Sequence, residues 1–140
     1  MRISSAWITE LAHNEVFVFG SNLEGRHCNG AARLAFQKFG AAWGEGSGFH
    51  GQTYAIPTMH GGITAIRPYV DEFLMFAWNH PHLIFLVTEI GCGIAGFRPC
   101  DIAPLFRPAV DRHMNNVFLP VSFYNYYNTT IQMNDYCMDW

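Results

Sequence analysis

An α/β domain, with a largely parallel or mixed sheet held between helices, is the fold class this sequence predicts, and three observations carry it. Short β-rich runs alternate with segments of helical period along the chain. One run, "HLIFLVTEI", is continuously apolar, as expected of a strand covered on both faces. Half of the 140 residues are hydrophobic and 16% are aromatic, enough for one core of ordinary size.

The elements follow in order. "NEVFVFGSN" predicts a strand over Val16 to Phe19, ending at Gly20. A polar, glycine-bearing loop leads to "NGAARLAFQKFGA", whose apolar positions are mostly helical in period and whose Gly40 is a natural C-cap. "GEGSGFHG" is too rich in glycine for regular structure and reads as a loop. "QTYAIPT" alternates and predicts a second strand stopping near Ile56. "TAIRPYVDEFLMFAWNHP" is helical in period until Asn79 and Pro81. The apolar run from His82 to Ile90 is the third strand. "CDIAPLFRPAVDRH" predicts a helix with Asp101 as N-cap, shortened or broken by Pro104 and Pro108. "NNVFLPVSF" reads as the last strand. The domain is taken as residues 1–123, and 124–140 as an aromatic extension without clear period, packed on the domain or partly disordered.

Charge narrows the partners. Charged residues make up only 14% and the net charge is −3, which offers no general attraction to nucleic acid or an anionic membrane. The weakly charged surface leaves room for a homo-oligomer. No apolar stretch reaches the length of a membrane span. "MRISSAWITE" lacks the apolar core of an export signal, so the expected location is cytoplasmic, with Cys28, Cys92, Cys100 and Cys137 as reduced thiols. Their spacing to His27, His80 or His82 matches no short zinc motif, and neither metal nor cofactor is expected.

Ligands of open α/β sheets bind beyond the carboxyl ends of the strands. Two glycine-bearing loops fall there: Gly20 to Gly30, and "GCGIAGF" from Gly91 to Phe97. Each follows a β run and precedes a helix, so each brings backbone amides close to whatever lies outside. A diphosphate spanning both loops is the simplest ligand. The triphosphate motif GxxxxGK[ST] is absent, as is GxGxxG followed by an acid at the end of the next strand.

"VFVFGSNLEGRHCNGAARLAF" and "CGIAGFRP", in this order and spacing, resemble the two signatures of the macro domain, the ADP-ribose-binding fold. The chain looks most like a compact, divergent branch found among bacterial and phage proteins. The resemblance implies a three-layer macro-domain-like fold, with a mixed central sheet flanked by helices, and ADP-ribose or an ADP-ribosylated substrate as partner. It implies that Gly91, Cys92, Gly93, Ile94, Ala95, Gly96 and Phe97 wrap the diphosphate, with Phe97 next to the distal ribose. Asn22 would hydrogen-bond that ribose beside Asn29 and Gly30. Gly20, Ser21, Gly25 and Arg26 would line the same side, and Glu45 and Gln52 would close over the ribose end. Phe19 stands where the family has its first asparagine, and the aspartate that reads adenine has no counterpart.

An enzyme of this kind would hydrolyse a bond at the distal ribose, removing an attached group or a phosphate, mainly by positioning. Asn22, Glu45 and Glu89 are the candidates for that chemistry, Glu89 because it closes a buried strand just before the glycine loop. Cys92 lies among loop amides expected to lower its pKa. His27 and His50 are loop histidines that could donate to phosphate, and Arg26 and Arg98 could pair with it. Two other roles use the same scaffold: a reader that binds without turnover, and a phage structural or interaction protein presenting Tyr124, Tyr126, Tyr127, Tyr136 and Trp140 to a partner.

Overall fold

The computed structural model describes the backbone of residues 2–138 and the side chains of residues 2–130. Five strands form one mixed sheet: β1 (Glu15–Ser21), β2 (Gly48–His50), β3 (Thr53–Pro57), β4 (Ile84–Val87) and β5 (Val117–Phe118). Their spatial order is β2-β3-β1-β4-β5, all parallel to their neighbours except β2, which pairs antiparallel with β3. A parallel bridge from Ile3 to Leu119 lies just past the end of β5.

Alternation along β1 sorts the two faces. Phe17 and Phe19 turn to one side and meet Ala32, Ala35 and Phe39 of a helix that starts as α1 (Gly30–Leu34). Its next turn, Ala35–Phe39, is wound more widely as a π-helix and closes on Gly40 at φ 90°, the expected left-handed cap. Val16 and Val18 turn to the other side, into a larger core with Phe73 of α2 (Ile63–Trp78) and Phe106 of α3 (Pro99–Asp111). Helix α4 (Val121–Met138) packs on that side as well, where Phe123 lies against Phe106, ring centroids 5.6 Å apart. The fold is therefore a three-layer α/β sandwich with a mixed central sheet between helices, a plan compatible with a macro-domain-like fold.

Several elements depart from expectation. "GFH" is not loop but the edge strand β2, because the turn at Gly51 (φ 58°) folds it back onto β3. Strand β4 stops at Val87, and Ile84 and Leu86 are only half-buried, so the apolar run is not covered equally on both faces. Helix α3 is continuous: its N-cap is Arg98, not Asp101, and Asp101 instead accepts the Arg98 amide at 2.9 Å from the first turn. Pro99 suits the first helical position, and the helix passes through Pro104 and Pro108 because its apolar face is anchored by Ile102, Leu105 and Phe106. The last strand shrinks to Val117–Phe118, since Pro120 cannot extend a ladder, and the chain turns into α4. Tyr124 and Tyr127 are buried in the main core rather than offered to a partner; the side chains of Tyr136, Cys137 and Trp140 lie outside the described residues.

Candidate functional site

Topology places a crevice at one point. From β1 the chain goes by way of α1 to β3 on one side, then crosses with α2 to β4 on the other, and such a reversal opens a gap above the strand ends. Register deepens it: Val87, the last residue of β4, pairs with Val18, while β1 runs on to Ser21. The missing length of β4 is a notch. A cavity of about 480 Å³ fills it, lined by both glycine loops. The loops touch at its floor, where a Cβ on Gly20 would sit 3.2 Å from the Gly91 amide nitrogen.

The loop after β4 is built so that some amides are used and others left over. Phe97 N–H closes the bend on Gly91 O at 2.8 Å, Gly96 N–H turns to Gly93 O, and Cys92 N–H to Glu89 O. Among the described residues, the amides of Gly91, Gly93, Ile94 and Ala95 find no acceptor, and these four residues line the cavity. Opposite stand Asn29, Gly30, Ala31 and Ala32, at the start of α1, where Asn29 provides no side-chain cap. Helix geometry leaves the first amides there without intrahelical partners.

Other members of the predicted set are placed by their hydrogen bonds. Asn22 lines the cavity, but its side chain is engaged at both ends by the backbone of Arg26, accepting from N–H at 2.8 Å and donating to C=O at 3.0 Å. It pins the loop that carries Arg26 into the lining. Ser21 lines the floor and donates its hydroxyl to Gly46 O. Gly25 is absent from the lining; at φ 69° it lets the loop press on residues 44–45, where a Cβ would fall 2.3 Å from Glu45 N.

The structure leaves five more predicted residues outside the cavity lining. Glu45 is exposed on the turn behind Gly25. Gln52 sits at the opposite end of the sheet, donating to Ala12 O and Glu15 O at 2.8 and 3.0 Å, because β3 begins where β1 begins. Phe97 packs beneath Gly91 on the main core, and Gly96 forms the back of the bend. Arg98 faces Asp101 in the α3 cap instead of the cleft.

Cys92 also turns inward. Its thiol donates to Ile90 O at 3.5 Å and is pushed up to about 11, chiefly by burial and then by Glu89, opposite to the lowering expected from loop amides. His27 is not a loop-surface group: it is buried beside Phe19, Phe36 and Trp43, with Nε2 2.9 Å from Ala42 O. His50 belongs to β2, near Ser47 O.

Glu89 does reach the cavity. It is an exposed loop residue rather than the end of a buried strand, and its Oε2 accepts from Ser122 Oγ at 2.8 Å. It also lines a second cavity of about 420 Å³, enclosed by Ser4 to Thr9 and by Pro120 to Ser122. The two cavities share Gly30, Ala31, Thr88 and Glu89.

Sequence reasoning passed over Cys28, Thr58, Met59, Thr88 and Ile90, which complete the first lining. Thr58 had a signal, since it follows directly on a strand that ends level with Ser21. Among the described residues, no three His, Cys, Asp or Glu side chains gather to hold a metal ion, and no helix is long and apolar enough to cross a membrane. Comparison with known proteins finds no family model, no curated protein and no solved structure that matches this chain.

Proposed function

We propose that the paired cavities bind ADP-ribose or a closely related ADP-ribosyl nucleotide. The observation that carries the reading is the set of amides without a protein acceptor at Gly91, Gly93, Ile94 and Ala95, on residues that line the first cavity together with the uncapped start of α1. Such donors suit the oxygens of a diphosphate, which gain charge-assisted bonds without any lysine. Arg26 is the cation on this lining. The second cavity, walled by Trp7, Ile8, Phe17 and Leu34, offers an apolar slot of the size a flat base needs.

Binding without turnover is the role the side chains favour. The Asn22 side chain is consumed by its own loop, Glu45 stands away from the cleft, and Glu89 lies at the junction of the cavities. A reader or sequestering module needs no acid at the distal sugar. Free thiols at Cys28, Cys92 and Cys100 suit the reducing cytoplasm we assign to it.

Calorimetric titration with ADP-ribose, ADP and NAD tests the proposal. ADP-ribose is expected to bind about tenfold or more tighter than ADP, since the distal sugar adds contacts in the first cavity. Equal weak binding of all three would refute the distal-sugar specificity, and no heat with any of them would refute the nucleotide reading. Slow release of the group attached to the distal ribose of an ADP-ribosylated substrate, or of a phosphate on that ribose, would convert the reader into a hydrolase.

A further inference from the structure

Where the two cavities meet, the chain exposes one carboxylate. Of the four shared residues, Gly30 and Ala31 have no polar side chain, and the Thr88 hydroxyl is committed to Val18 O at 2.8 Å. Glu89 remains. Ser122, in the first turn of α4, holds its Oε2 at 2.8 Å, and among the described residues Oε1 has no hydrogen-bond or ion-pair partner.

A ligand with its diphosphate on the free amides and its base in the apolar slot must lay the connecting sugar over this junction. Resting on that reading of the cleft, we propose that Glu89 selects the state of that sugar: Oε1 accepts a hydrogen bond from its free hydroxyls, and the carboxylate charge rejects a sugar bearing a phosphate. A hydroxyl donating to an ionised oxygen makes one of the stronger hydrogen bonds available at a partly solvated site. A phosphate there would instead place like charges about 4 Å apart, where repulsion amounts to several multiples of RT at surface dielectric. Ser122 is a positioning residue. By tying up Oε2 it keeps the carboxylate from swinging into solvent, so that Oε1 meets the ligand.

The experiment compares calorimetric affinities for ADP-ribose and ADP-ribose 2′-phosphate in the native chain and in Glu89→Gln, Ser122→Ala and Ser122→Thr. The native protein is expected to prefer the unphosphorylated sugar by about tenfold or more. Glu89→Gln should bring the ratio to within about threefold, with affinity for the 2′-phosphate rising in absolute terms. Ser122→Ala should lose part of the preference and Ser122→Thr, which keeps the hydroxyl, should restore it. Equal affinities in the native chain, or a ratio unmoved by Glu89→Gln, overturn the selection while leaving the cleft reading intact. A ratio unmoved by Ser122→Ala overturns the positioning role. Failure of both compounds to bind overturns selection and cleft reading together.

Discussion

Cys92 shows how a residue inside a cavity-lining glycine loop can belong to the core. It sits between two residues whose amides are free, yet its thiol points back to Ile90 O, and burial raises its pKa to about 11. The folded chain therefore holds this proton more tightly than the unfolded one. The stability this provides is complete below the unfolded value of roughly 8.5 and is lost as pH rises through the folded one. Urea midpoints are expected to fall between about pH 8.5 and 10, and Cys92→Ala should flatten that slope. Above that range Tyr54, pushed up to about 12 by burial and then by Glu72, and Tyr127, raised mainly by burial, add their own loss. The same inward turn explains the uneven legibility of the site. Gly91, Gly93, Ile94 and Ala95 could be read because backbone amides need no side chain to find their direction. Gln52 and Phe97 could not: a glutamine near a glycine-rich stretch and a phenylalanine after a bend reveal their targets only through register and packing.

At the scale of elements, the end of α3 is the most locally determined feature. Arg112 caps it, His113 takes φ 52°, and Met114 N–H returns to Ala109 O at 2.9 Å while its side chain is buried. This reversal favours glycine at the left-handed position, and among the described residues His113 is the one non-glycine with positive φ. His113→Gly is expected to stabilise the fold by about 0.5–1 kcal/mol, read from the urea midpoint; a loss of stability would show that the ring makes contacts worth more than the backbone strain. Gly40 ends the first helix in a similar way, and there the sequence signal was plain. Less visible was β2, where Phe49 favours a strand but is flanked by Gly48 and His50, so that pairing depends on the turn at Gly51 and on β3. Helix α4 hid for another reason. Its buried positions, Phe123, Tyr124 and Tyr127, do follow helical spacing, but asparagine and further tyrosines between them blur the period.

At the scale of the molecule, α4 is part of the domain and not an appendage. Phe123 and Tyr127 are 0% and 3% exposed, and the Tyr127 hydroxyl hydrogen-bonds Ala103 O at 2.5 Å. Loss of each large buried aromatic costs about 3–5 kcal/mol, against a total stability of about 5–15 kcal/mol for an ordinary domain. A chain ending at Pro120 is therefore expected to lack a cooperative melt and dispersed amide resonances; a sharp native-like transition would show that the helix is dispensable. Strand alternation and the two loops announced the overall α/β plan, whereas the order of strands, and with it the notch above β4, emerges only when distant runs pair. The bridge between Ile3 and Leu119 carries this furthest. Together with the Tyr124 hydroxyl on Arg2 O, 122 positions away in sequence, it joins the first described residues to the start of α4 along one side of the sheet. The slot between residues 4–9 and 120–122 has both its walls only after these two distant segments have come together. Formation of that slot therefore reports closure of the sheet edge, not the folding of either segment by itself.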